Sequence, residues 1–140
     1  MSVSPLTVIL ALPKWLTQRP IQPMGLLYLA ASLRTAGHHV RIIDGEVDQL
    51  DNNTVARVVA AERPDLFGIS ATTAEANEAF ALAAAVKKLS PDTFIALGGA
   101  HASALPEASL QEAPAVDAVV FGEGEVTILE LTQRVRNGAT

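Results

Sequence analysis

The sequence predicts an α/β fold, a five-stranded doubly wound parallel sheet with strand order 2-1-3-4-5. Two observations carry this. Short apolar runs show no inside–outside alternation, as strands covered on both faces do, and stretches with helical period separate them all along the chain. Right-handed crossovers then leave few ways to arrange five such units, and the doubly wound order is the commonest.

Thr7–Leu12 is the first apolar run, followed by a proline-rich loop from Pro13 to Pro23. Pro23 suits the first turn of a helix, where its missing N–H costs nothing. That helix carries Leu26, Leu29, Ala30 and Leu33 on one face and stops at Gly37. Val40–Asp44 is the second strand. Thr54–Glu62 is the second helix, capped by Asp51 or Asn53 and closed before Pro64. Leu66–Ser70 is the third strand, after which Thr72 or Thr73 caps a helix with Glu75 close behind. This helix buries Ala79, Leu82, Ala83, Val86 and Leu89 and breaks at Ser90-Pro91-Asp92. Thr93–Leu97 is the fourth strand, and a polar turn leads from it to a short helix, Pro106–Glu112. Asp117–Phe121 is the fifth strand and Val126–Arg136 the last helix, with Ile128, Leu129, Leu131 and Val135 inward.

Composition restricts the function. The 140 residues make one domain, 1–140, and 49% of them are apolar, mostly Ala, Val, Leu and Ile. A net charge of −5 with scattered Lys and Arg argues against nucleic acid. With no cysteine, the chain itself cannot build a disulfide, an iron–sulfur cluster or a thiolate zinc site. The longest uncharged stretches, 2–13 and 93–106, are shorter than a membrane span. No basic region precedes the first apolar run, so no secretory signal is read and the expected location is cytoplasmic.

The unusual residues fall after strand carboxyl ends, the edge where open α/β sheets bind ligands. After the fourth strand stands Gly98-Gly99-Ala100-His101-Ala102-Ser103, where two residues without Cβ let a ligand approach the backbone closely. After the third comes Ser70-Ala71-Thr72-Thr73, with Ser70 placed to donate into a pocket. After the fifth comes Gly122-Glu123-Gly124-Glu125, whose glycines free backbone N–H groups at a helix start. The loop after the first strand holds neither G-x-G-x-x-G nor G-x-x-x-x-G-K, which removes dinucleotide and P-loop readings. Without that glycine turn, Asp44 reads as a loop or helix cap rather than a ribose holder. His101 could ligate metal, act as a base or bond its loop, but no second ligand sits at metal spacing and only Ser103 and Glu123 offer a catalytic partner. His38 and His39 lie at the opposite edge and read as surface residues.

These segments together resemble the N-terminal cobalamin-binding domain of cobalamin-dependent radical S-adenosylmethionine proteins, many of them methyltransferases. The likeness runs through Pro23-Met24-Gly25-Leu26-Leu27-Tyr28-Leu29-Ala30-Ala31-Ser32-Leu33, Gly37-His38-His39-Val40, Ile43-Asp44, Gly68-Ile69-Ser70-Ala71-Thr72-Thr73, Gly98–Ser103 and Gly122–Glu125. It implies a cobalamin-binding, Rossmann-like fold, with cofactor contacts from Pro23, Met24, Gly25, Ser70, Ala71, Thr72, Gly98, Gly99, His101, Ala102, Gly122, Glu123, Gly124 and Glu125. Ser70, Thr72 and the glycine pair would line the channel of the nucleotide tail. The Lys14–Gly25 loop, His101 and the Gly122–Glu125 turn would face the corrin ring.

Two departures refine the resemblance. Cobalamin domains of the methionine synthase and mutase type carry Asp-x-His-x-x-Gly after the first strand, whose histidine ligates cobalt. The corresponding loop here has no histidine, so the resemblance implies cobalamin bound base-off with no protein histidine and no metal ligand from this chain. The radical part of such proteins holds its cluster with three cysteines, so S-adenosylmethionine and an iron–sulfur cluster would belong to a downstream domain of a longer enzyme. The chain alone would then be a methyl-carrying module without turnover.

The rival reading is a flavodoxin-like interaction or signalling domain that binds no corrin. A phosphoreceiver needs an aspartate at the end of the third strand and an acidic pair after the first, where Ser70 and Pro13 stand. A flavin site prefers a Ser/Thr-rich first loop and aromatic walls, and Trp15 is the single tryptophan.

Overall fold

A computed structural model describes residues 4–14, 24–45, 47–120 and 124–138. Its five strands are β1 Thr7–Leu12, β2 His39–Asp44, β3 Leu66–Ser70, β4 Phe94–Gly98 and β5 Ala118–Val119, paired in parallel in the order β2-β1-β3-β4-β5. The helices are α1 Met24–Thr35, α2 Asn52–Glu62, α3 Ala76–Leu89, α4 Ala100–Ala104, α5 Pro106–Glu112 and α6 Gly124–Arg136. The predicted flavodoxin-like α/β architecture is thus the observed one.

Strand side chains point alternately to two cores. Val8 and Leu10 of β1 join Leu26, Ala30 and Leu33 of α1 and Ile128 and Leu131 of α6 on one face. Ile9 and Ala11 join Val55 and Val59 of α2 and Ala79, Leu82 and Val86 of α3 on the other, together with Ala102 and Ala113. Both faces of the inner strands are buried because helices cover both, which is why the sequence shows runs rather than alternation.

The ends of the elements follow from caps. Asp51 is the N-cap of α2 and accepts the Thr54 N–H at 2.8 Å, so the helix begins at Asn52, ahead of the predicted Thr54, and Asn53 lies inside it. Gly37 ends α1 with φ +97°, a conformation that L side chains rarely adopt.

Several expectations are corrected. A 3-10 turn, Thr73–Glu75, precedes α3, and Glu75 rather than a threonine is its N-cap residue. Leu89 is exposed (49%), since it closes the last turn of α3 beyond the sheet. The polar turn after β4 is the helix α4. The β5 ladder is two residues long, though the Asp117 and Val120 N–H groups on either side still bond the Ile95 and Leu97 carbonyls, and the Asp117 carboxylate takes the Ile95 N–H. Phe121, the predicted end of that strand, lies outside the described residues. His38 is buried, 7% exposed, because its imidazole closes a backbone bond beneath β1.

Candidate functional site at the carboxyl edge of the sheet

The two edges of the sheet differ in how their polar groups are used. At the amino edge they are consumed by the fold. Asp65 Oδ2 accepts the Thr7 N–H at 2.9 Å and His38 Nδ1 accepts the Leu6 N–H at 3.0 Å. Asp117 Oδ2 accepts the Ile95 N–H at 2.8 Å and a Lys87 Nζ proton at 2.7 Å, while Lys87 also donates to the Thr93 carbonyl. Arg136 donates through Nε and Nη2 to the Ser4 carbonyl. Burial, then Arg136 and His39 nearby, hold the His38 imidazole below its ordinary pKa. An open groove at this edge, lined by Arg63, Asp65, Leu89, Asp92 and Phe94 among others, contains no predicted site residue.

At the carboxyl edge, register brings the β3 and β4 exits together. Leu12 pairs with Asp44 and Ser70 with Gly98, so these strands end level. Gly99 has φ +97°, and a Cβ there would lie 2.7 Å from the Ala71 carbonyl oxygen, 2.8 Å from the Ala71 nitrogen and 2.9 Å from Ser70 Oγ. The close approach that requires this glycine is therefore to the β3 exit itself. The Ala71 N–H donates to the Gly98 carbonyl at 3.2 Å and ties the same two exits. Gly98 differs: a Cβ there would meet nothing closer than 3.5 Å.

The hydroxyls are differently disposed. Ser70 is half-buried at the end of β3, and its hydroxyl makes no hydrogen bond to another described residue. Thr72 is exposed, and both its N–H and its Oγ1 donate to Glu75 Oε1, at 3.0 and 2.9 Å. The Glu75 N–H returns to the Thr72 carbonyl at 3.1 Å, closing a four-residue turn before α3. Asp44 is a loop cap, as read from the sequence, with Oδ1 accepting the Val47 N–H at 3.1 Å.

The remaining predicted residues divide as follows. Ala71 and Ala102 are buried in the α2–α3 core, so they support the edge by packing. Gly25 is exposed in the first turn of α1, where Met24 also stands. His101 belongs to α4, and Gly124 and Glu125 to the first turn of α6. The side chains of Met24, His101 and Glu125 are outside the description, as are Pro23, Gly122 and Glu123 entirely. Sequence reading missed α4, which contains no strong helix start signal. It paired Thr72 or Thr73 with Glu75, and the structure gives the Glu75 carboxylate to Thr72.

The polar groups at this edge suit an uncharged, amide-bearing ligand. The Ser70 and Thr72 hydroxyls and the backbone around Gly98 offer hydrogen bonds, and among the described residues no cationic cluster stands beside them. Among the described residues no three His, Asp or Glu come together in a way that could hold a metal ion. The family model that describes the B12 binding domain matches residues 17–132.

The chain belongs to the B12-binding domain family.

A curated relative, an uncharacterized methyltransferase of Pyrococcus horikoshii, is 39% identical over 116 residues, which are 83% of this chain and 25% of that protein. An anaerobic magnesium-protoporphyrin IX monomethyl ester cyclase of Rubrivivax gelatinosus is 32% identical over 117 residues, 83% of this chain and 21% of the cyclase. This B12-binding chain thus spans about a quarter or less of the length of these relatives. Among solved structures, the radical S-adenosylmethionine methyltransferase TsrM of Kitasatospora setae, with cobalamin and a [4Fe-4S] cluster bound, superposes with a TM-score of 0.84. The match covers 98% of this chain and 26% of TsrM at 23% identity, and it shows a shared fold. Since signalling and corrin-binding domains share this fold class, the family match and not the topology separates the two readings.

Proposed function

We propose that this chain is the cobalamin-holding module of a longer radical S-adenosylmethionine enzyme that transfers a methyl group. The match over residues 17–132 carries the reading, because it spans the β3 and β4 exits that meet at Ala71 and Gly99. Ser70, Thr72 and the backbone at Gly98 would hold the nucleotide tail, with Gly25, His101 and the 122–125 turn toward the ring. Cobalamin, when bound, supplies a cobalt atom able to carry a methyl group. The chain's own residues bind and orient it. The chain has no cysteine, so a cluster and S-adenosylmethionine would be held by a further, downstream domain, where the substrate would also lie. No helix among the described residues is long and apolar enough to cross a membrane, and we place the module in the cytoplasm.

The cofactor would sit base-off without a histidine beneath cobalt. The 13–23 loop has no histidine, and His38 is occupied by the Leu6 N–H at the far edge. Incubation with hydroxocobalamin, desalting and a visible spectrum tests the binding. Retained corrin absorbance supports it, and a colourless protein contradicts it. In the cob(II)alamin form, electron paramagnetic resonance should lack axial-nitrogen splitting. Splitting that disappears in His101→Ala would make His101 a ligand.

A further inference from the structure

We infer that Glu75 is a positioning residue that commits the Thr72 hydroxyl to the role of hydrogen-bond acceptor, so that this point of the cofactor edge takes a hydroxyl or amide donor and rejects phosphate. The inference rests on the cobalamin reading above. One oxygen of the Glu75 carboxylate receives both the Thr72 N–H at 3.0 Å and the Thr72 Oγ1 proton at 2.9 Å. An ionised carboxylate has no proton to give, so the direction of the second bond is fixed, and a threonine hydroxyl has only one proton. The proton is spent inward, and the lone pairs of Oγ1 are what the exposed Thr72 can still offer. The backbone N–H of Thr72 is occupied by the same oxygen, which removes the other donor a phosphate could have used there.

The consequence for a corrinoid is selective. A phosphodiester presents acceptors only and meets lone pairs with lone pairs. A sugar hydroxyl or a secondary or primary amide presents a proton and fits. Ser70 is unlike Thr72, since its hydroxyl is uncommitted among the described residues and can serve either way. Two hydroxyls two residues apart therefore carry different polarity, and Glu75 makes the difference.

The test is a double-mutant cycle read by visible-spectrum titration with two probes, hydroxocobalamin and cobinamide, which lacks the phosphate, sugar and base but keeps the amides. Thr72→Val should raise the hydroxocobalamin Kd about fivefold to tenfold, the effect of one hydrogen bond, and Thr72→Ser should restore it. A loss confined to hydroxocobalamin, with Glu75→Ala also weakening that binding, assigns the donor to the sugar. Tighter hydroxocobalamin binding in Glu75→Ala would mean that the freed hydroxyl proton meets the phosphate and would overturn the inference. An equal loss with cobinamide assigns it to an amide. Glu75→Ala should weaken binding by a similar factor, and the double variant should be no weaker than the worse single one, since Glu75 acts through Thr72. Should Glu75→Ala not fold by circular dichroism, Glu75→Met, which fills similar space without an oxygen acceptor, takes its place in the cycle. Unchanged Kd in Thr72→Val, or single-variant factors that multiply in the double variant, would overturn the inference while leaving cobalamin binding intact. A parent chain that binds neither corrinoid would instead remove the cobalamin reading itself.

Discussion

Substituting the two adjacent glycines at the end of β4 should have very unequal effects on stability. Gly99→Ala places a methyl group on a residue with φ +97°, which costs an L residue about 1–2 kcal/mol. That methyl would stand 2.7 and 2.8 Å from the Ala71 carbonyl oxygen and nitrogen. Both are backbone atoms held by the Ala71 N–H bond to Gly98, so they cannot rotate aside, and overpacking adds about 1–3 kcal/mol. The sum, about 3 kcal/mol, corresponds to a melting temperature lower by roughly 10 °C for a domain of this size. Gly98→Ala meets only a 3.5 Å contact at the Val120 carbonyl and has no left-handed φ, so its stability should stay within about 1 kcal/mol of the parent. Thermal and urea unfolding by circular dichroism measure both. A Gly99→Ala protein melting within two degrees or so of the parent would refute the close approach. Gly98→Ala, expected to stay folded, also reports on the ligand: weaker cobalamin retention is expected from the proposed approach of the cofactor to that backbone.

The His38 contribution to stability should depend on pH with a defined sign. Its folded-state pKa lies below the ordinary 6.5, so the unfolded chain protonates first as pH falls. The contribution is whole above about pH 6.5 and is lost progressively below it. The urea midpoint should fall between pH 7 and 5.5, and His38→Gln should reduce that fall; an unchanged slope would reject the assignment. Asp117→Ala leaves the Ile95 N–H without the acceptor it now holds at 2.8 Å and should cost about 1–2 kcal/mol in urea unfolding. No change would show that water replaces the carboxylate. Asp51→Ala removes the α2 cap and should cost about 1 kcal/mol, with the helix's amide exchange rising first in its amino-terminal turn.

The sheet was legible because both of its cores announce themselves in the strands: Val8, Ile9, Leu10 and Ala11 are all buried, two to each face. β3 and α5 match their predicted bounds for the same local reasons, an apolar run and a Pro at the helix start. What the sequence hid were long-range partners. Nothing near His38 in the chain signals that Leu6, far away in sequence, will cover it and take its Nδ1. The same is true of Asp117, whose bonds reach Lys87 and Ile95. At the site, clustering after strand ends was readable, but the meaning of Gly99 was not. A glycine that admits a ligand and one that admits Ala71 look alike until register places the β3 exit beside it.

The central claim is that cobalamin is held at the carboxyl edge and nowhere else on the molecule. Amide hydrogen exchange of the chain with and without hydroxocobalamin tests it most directly. Slower exchange should be confined to the β3 exit and its turn, residues 70–76, the β4 exit and α4, residues 98–104, and the start of α1. The Arg63–Asp65 and Ser90–Thr93 segments at the amino edge should exchange as in the free protein. Protection of those amino-edge segments with an unchanged carboxyl edge would contradict the claim.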